Sequence, residues 1–238
     1  MTVRIAMWSG PRNISTAMMR AFENREDTVV VDEPFYAYYL QATGLSHPMA
    51  QEIIRSQPTA WSVVAEALSV APVSADVFYQ KHMTHHMLRE IDLSWTSNLK
   101  NCFLIRDPKP VVKSYSLKMD SVTQDDIGII RQFELYEEIS AITGQDMPVI
   151  DARQFLADPQ SGLRRLCDQC AIPDSSKMLN WPEGRRETDG VWASHWYGAV
   201  ENSTGFQPAT DAPITLTAGQ QKIADEANEY YQLLLQKC

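Results

Sequence analysis

The sequence predicts an α/β fold in three layers, a mostly parallel sheet covered by helices on both faces. Five short apolar runs recur along the chain, at Val3–Trp8, Thr28–Val31, Val77–Gln80, Cys102–Ile105 and Met147–Ile150. Each is bounded by polar or turn residues, as strands buried on both faces are. Stretches with helical spacing lie between the runs, and that alternation implies right-handed crossovers and a parallel sheet. Neither internal repeats nor low-complexity tracts interrupt the pattern.

Taken in order, Val3–Trp8 opens the sheet, and Ala17, Met18, Ala21 and Phe22 mark the first helix. Asp107 is an N-cap with Pro108 in the first turn behind it, and Val111, Val112 and Tyr115 form the inner stripe. Ile129, Ile130, Phe133 and Tyr136 mark the next helix. After Asp158-Pro159, Leu163, Leu166, Cys167 and Cys170 fall at helical spacing, so the Cys-x-x-Cys reads as buried helix face. A structural zinc site would want a second pair at matching spacing. Residues 173–215 are rich in Pro, Gly and Trp and read as long loops packed on the domain. Ile223, Ala227, Tyr230, Tyr231 and Leu234 mark a C-terminal helix. A length of 238 residues favours a single domain, 1–238, with a full core.

Composition bounds the function. Apolar residues are 44% and charged residues 21%, as in an ordinary globule. No apolar stretch is long enough to span a membrane, and the N-terminal MTVRIAMW reads as strand rather than signal core. A cytoplasmic location is therefore expected. With 21 basic and 30 acidic residues the formal charge is −9, which argues against nucleic-acid and anionic-membrane partners. Basic residues nevertheless cluster in 1–25 and 100–120, which suggests a bounded anion site. Nothing in the pattern specifies an oligomeric state.

In open α/β sheets ligands bind beyond the carboxyl ends of the strands. Ser9-Gly10-Pro11-Arg12-Asn13-Ile14-Ser15-Thr16 follows the first strand, Asp32-Glu33-Pro34-Phe35 the second, Lys81-His82-Met83-Thr84-His85-His86 the third and Arg106-Asp107-Pro108 the fourth. The first loop has the placement of a phosphate loop, with helix-start N–H groups and the Ser15 and Thr16 hydroxyls facing an anion. It is not a Walker A sequence: aligned on Thr16, Ile14 stands at the second glycine and Ser15 at the lysine. The missing lysine counts against a kinase or nucleotide hydrolase, although Arg12 could carry the charge.

The whole pattern resembles the sulfotransferases that use 3′-phosphoadenosine-5′-phosphosulfate (PAPS). Their first loop resembles G-x-P-R-S-G-T-T, matched here by Ser9–Thr16, and a later segment resembles R-[DN]-P-x-x-x-x-x-S-[YF], matched by Arg106–Tyr115. The resemblance implies a P-loop nucleoside triphosphate hydrolase-like fold and a PAPS donor. It places Arg106 and Ser114 on the 3′-phosphate, with Arg12, Asn13, Ile14, Ser15 and Thr16 around the phosphosulfate. It also matches Gly184-Arg185-Arg186 and Gly190-Val191-Trp192 loosely to a late donor-contacting loop. Some similar chains carry an aminotransferase-like label, but no lysine context here suggests a pyridoxal phosphate enzyme.

Sulfuryl transfer needs cations on the sulfonate and a base on the acceptor. Arg12 and Lys81 are the candidate cations. Glu33 is the first candidate base, in the place where some family members carry a glutamate, and His82 or His85 is the second. Other members use a histidine two residues after a strand-end lysine, where this chain has Met83. His82, His85 and His86 share helical spacing but have no carboxylate or cysteine at a matching position, so no metal is expected. The expected reaction moves a sulfuryl group from PAPS to a hydroxyl or amine of a small-molecule acceptor. A P-loop kinase or hydrolase, and a nucleotide-binding module without turnover, stay open beside it.

Overall fold

The computed structural model describes residues 2–210 and 212–238. Strands β1 (Val3–Ser9), β2 (Thr28–Asp32), β3 (Val77–Met83), β4 (Lys100–Ile105) and β5 (Val149–Asp151) form one parallel sheet in the order β2-β3-β1-β4-β5. Helix α1 (Ser15–Glu23) joins β1 to β2. Three helices, α2 (Tyr36–Thr43), α3 (Ala50–Ser56) and α4 (Trp61–Ser69), lie between β2 and β3. Between β4 and β5 come α5 (Pro108–Tyr115), α6 (Gln124–Ile127) and α7 (Ile129–Thr143), and after β5 come α8 (Ala152–Ala157) and α9 (Pro159–Cys170). Two single-turn helices, α10 (Ala193–Trp196) and α11 (Gly198–Glu201), sit in the irregular stretch before α12 (Ala218–Leu235).

Alternation along β1 makes the three layers. Ile5 and Met7 pack with Met18 and Phe22 of α1 and Leu163, Leu166, Cys167 and Cys170 of α9 on one face. Ala6 and Trp8 pack with residues of α4, α5, α7 and α12 on the other. Full burial of side chains such as Ile5, Met7 and Trp8 contributes roughly 1.5–3 kcal/mol each. The expected caps are present: Asp107 accepts from Lys109 N at 2.8 Å, and Asp158 accepts from Ser161 N at 3.0 Å. Cys167 and Cys170 lie on the buried face of α9, as their spacing predicts, and Cys102 meets Cys170 from β4 at 3.6 Å. No helix among the described residues is long and apolar enough to cross a membrane.

Two features depart from the sequence pattern. Three helices fill the long connection from β2 to β3, and in the first of them Tyr36–Leu40 is buried all round, so α2 presents no amphipathic stripe to find. The polar pair Lys81-His82 suggests that the third strand stops at Gln80, yet pairing continues to Met83, with Lys81 opposite both Asp32 and Met7. Inside a strand, consecutive side chains take opposite faces. That extension separates Lys81 from His82.

Candidate active site

Because β1 is central and its neighbours lead away to both sides, the loops after β1 and β4 diverge and leave a crevice at their carboxyl ends. The β1–α1 loop is pinned there. A Cβ on Gly10 would stand 2.8 Å from the Ile127 carbonyl oxygen, so the backbone can pass only as glycine. Asn13 ties the loop to β4 by donating to the Leu104 carbonyl at 2.9 Å, and its Oδ1 accepts from Ile14 N at 2.8 Å. Ile14 then stands at the N-cap of α1, where no side chain caps the helix. The first-turn N–H groups at Ser15, Thr16 and Ala17 are left without a side-chain partner, and all three residues line a cavity of about 300 Å³.

Arg106 leaves the end of β4 into the same cavity. Its Nη1 donates to the Arg12 carbonyl at 2.6 Å, and Arg12 Nε donates to Ser114 Oγ on α5 at 2.9 Å. Residues 12, 106 and 114 therefore converge. Burial lowers the pKa of both arginines, and Arg12 lowers that of Arg106 further. Neither forms an ion pair with a carboxylate among the described residues; Arg12 instead lies 5.9 Å from the centre of the Trp196 ring. Two adjacent half-buried cations with no counter-charge in contact make a strong site for an oxyanion.

A second cluster faces them. Lys81 Nζ donates to Asp32 Oδ1 at 2.8 Å and to Glu33 Oε1 at 2.7 Å, and also to the Tyr197 hydroxyl. Three acceptors use all three ammonium protons, so Lys81 has none left to offer a sulfonate. Asp32 is held in turn by the Tyr197 hydroxyl, at 2.7 Å from Oδ2, and by Gly190 N at 3.1 Å. Burial, then the neighbouring Asp32 charge, pushes the Glu33 carboxyl up, against the opposing pull of Lys81. For Lys81 burial works downward, but the two carboxylates outweigh it and raise the ammonium. Among the described residues, Oε2 of Glu33 has no partner. Arg12 and Glu33 both take left-handed backbone angles, φ 54° and 42°, and strain of that kind gathers at working sites.

The candidate histidines separate. His82 points to the other side of the sheet, where it stacks on Trp8 at 4.3 Å and meets Gln80 Oε1 at 3.2 Å, so it does not line the cavity. His85 does line it, edge-on to Tyr39 at 5.5 Å and to His86 at 4.3 Å. Burial pushes His82 and His85 down to about 3, so both are neutral near pH 7. With His82 on the opposite face the histidine triplet never forms, and no described group of three His, Cys, Asp or Glu side chains could hold a metal. Arg185 and Arg186 are likewise outside the cavity. The buried pair of Arg20 with Asp189, 2.7 Å at the second oxygen, draws their loop onto the end of α1, where Arg186 lies against Glu23.

Sequence reasoning singles out Glu33 but passes over Asp32 and Tyr197. Asp32 carries a local signal, standing beside Glu33 at a strand end. Tyr197 carries none, because it comes from the irregular stretch more than a hundred residues away from Lys81 in sequence. Tyr36, Tyr115, Trp196, Tyr197 and Phe206 line the cavity, whereas Trp95 and Trp181 are core.

Comparison with known proteins bears on the family and the fold. A family model described as "Sulfotransferase domain" matches residues 3–235. The chain is 33% identical over 230 residues to "Branched-chain-amino-acid aminotransferase-like protein 1" of Arabidopsis thaliana, and 30% identical to protein 2 of the same name. These matches cover 97% of this chain but 41% of each relative, so the chain spans less than half the length of the curated proteins it resembles. Among solved structures, the sulfotransferase domain from the curacin biosynthetic pathway superposes with a TM-score of 0.57 at 15% identity, covering 96% of this chain and 98% of that one. Mouse sulfotransferase SULT7A1, solved with PAP, gives 0.54 at 12% identity over 99% and 89%. At those identities the likeness is one of fold, and it is the P-loop nucleoside triphosphate hydrolase-like architecture of a parallel sheet between helical layers. The sequence match itself runs from the first strand to the last helix, and on that ground the chain belongs to the sulfotransferase domain family.

Proposed function

We propose that the protein transfers a sulfuryl group from PAPS to a hydroxyl or amine of a small acceptor. One observation carries the reading: the Arg12–Arg106–Ser114 cradle, the uncapped first turn of α1 and Glu33 all open on one cavity. PAPS is an anion at both ends, and its two ends need two grips. Arg106 and Ser114 suit the 3′-phosphate; the N–H groups and hydroxyls of Ser15 and Thr16 suit the phosphosulfate, favoured there by the helix dipole. The unpaired arginines are the fit test, since a pocket for a neutral ligand would leave them uncompensated.

When bound, PAPS supplies the sulfuryl group: the bond from sulfur to the acceptor oxygen or nitrogen forms as the bond from sulfur to the phosphate oxygen breaks, leaving 3′,5′-adenosine bisphosphate. The chain's own contribution is positioning and charge. Arg12 is the cation placed for the transferring group, because Lys81 is committed to Asp32, Glu33 and Tyr197. Glu33 takes the acceptor proton on Oε2, and its raised pKa brings it closer to the pH at which a base works best. His85 is the other cavity-lining group able to accept a proton, but burial makes it the weaker base.

Thermal melting tests the reading. Adenosine 3′,5′-bisphosphate should raise Tm without metal, and Arg106→Ala should cut that rise by half or more. Stabilisation by ATP only with Mg²⁺ would point to a kinase or hydrolase instead. Bisphosphate binding, with no transfer to a broad acceptor panel and no effect of Glu33→Gln, would leave a binding module without turnover.

A further inference from the structure

We infer that Tyr197 is a positioning residue, which with Lys81 and Asp32 clamps one oxygen of Glu33 so that the other faces the acceptor as an available base. The inference rests on the reading of Glu33 given above and goes beyond it. The hydrogen bonds allow one arrangement. The Tyr197 oxygen accepts from Lys81 and from Trp192 Nε1 at 3.0 Å, which uses both lone pairs. Its single proton has three acceptor atoms in reach: Asp32 Oδ2 at 2.7 Å, Asp32 Oδ1 at 2.9 Å and Glu33 Oε1 at 3.3 Å; both shorter contacts are to Asp32. The shorter bond takes the proton. Asp32 is thereby satisfied by a hydroxyl, an amide and an ammonium, and Lys81 keeps a proton on Glu33 Oε1. Glu33 Oε2 alone lacks a partner, on the residue of this cluster most open to the cavity.

The groups facing Glu33 come from every neighbouring element. Asp32 adjoins it on β2, Lys81 on β3, Tyr36 on α2 and Tyr197 after α10, with Arg12 and His85 on the cavity wall. Lys81 and the Tyr197 hydroxyl favour the charged carboxylate, whereas burial and Asp32 oppose it. Removing the hydroxyl leaves Asp32 short of a donor. Lys81 then leans to Asp32 and away from Glu33, so Glu33 holds its proton to higher pH. Replacing Asp32 by a neutral amide does the opposite.

The test is infrared difference spectroscopy of the full chain across a pH titration, following the protonated-carboxyl band that Glu33→Gln removes. Tyr197→Phe keeps the ring and should shift the midpoint of that band upward; Asp32→Asn should shift it downward. A purely structural role predicts another outcome, because loosening the loop admits water and lowers the midpoint in both variants. An unchanged or lowered midpoint in a folded Tyr197→Phe protein overturns the inference. Should that variant not fold, an unchanged or raised midpoint in Asp32→Asn overturns it equally. Adenosine bisphosphate affinity is measured alongside and should be retained in Tyr197→Phe. No bisphosphate binding by the wild type would defeat the donor reading while leaving the titration interpretable.

Discussion

At the scale of single residues, the same strand places one side chain in the site and the next in the core. His82 lies on the core face, and its imidazole is stacked and neutral, pushed down to about 3 by burial. A group whose folded pKa lies below its unfolded value of about 6.5 holds stability above that value and loses it as pH falls towards the folded one. Wild-type stability should therefore decline between about pH 6.5 and 3, with His85 and His86 acting in the same direction. His82→Phe keeps a ring on Trp8 but cannot titrate. Urea melts at pH 7 should show a loss of about 1 kcal/mol, because Gln80 Oε1 loses its partner. The decline from pH 7 to pH 4.5 should be shallower than in wild type; an equal decline would move the acid sensitivity elsewhere. The residue alphabet at the strand ends is enough to single out Arg12, Glu33 and Arg106, which share one cavity. What it cannot supply is which of two adjacent polar residues turns inward, since that depends on where pairing with β1 and β2 stops.

Elements were legible where their signals are local. The caps at Asp107 and Asp158, the period of α9 and the buried runs of the sheet are each contained in a dozen residues or fewer. The eight-residue step from Arg106 to Ser114 belongs to this class too, because a strand end and the helix it opens set it. The stretch 173–215 is different. Its docking is decided by partners far away in sequence: Asp189 on Arg20 and Tyr197 on Asp32. Close packing then fixes its path, since a Cβ on Gly190 would stand 2.1 Å from the Trp192 ring. Two variants test this anchoring. Asp189→Asn removes the closer of two carboxylates on the buried Arg20 and leaves it Glu23 at 3.3 Å, which should cost about 1.5–3 kcal/mol in a denaturant melt. Gly190→Ala must move the Trp192 indole and should cost about 1–3 kcal/mol. It should also alter the near-ultraviolet dichroism and slow transfer, because that indole donates to Tyr197. A Gly190→Ala protein with wild-type stability would mean that the segment is held elsewhere.

For the whole molecule, the proposed reading asks how a chain of charge −9 would hold a polyanion. Screening limits the reach of the surface acids to about 10 Å at 0.1 M salt, whereas Arg12 and Arg106 act at contact and are only partly hydrated. The local pair therefore decides the sign. Ligand that binds only the folded state at a hundred times its Kd adds about 2.7 kcal/mol. For a chain of this size each kcal/mol moves Tm by about 2–4 °C, so adenosine 3′,5′-bisphosphate should raise it by about 5–11 °C. The 5′-monophosphate can still meet the first turn of α1 but offers nothing to Arg106 and Ser114. Losing charge-assisted bonds of about 1.5–3 kcal/mol should weaken it by about ten- to a hundredfold. Calorimetric titration of both nucleotides against wild type and Arg106→Ala measures this directly. The bisphosphate advantage should vanish in the variant; equal affinities in the wild type would mean that the arginine closing β4 grips no second phosphate.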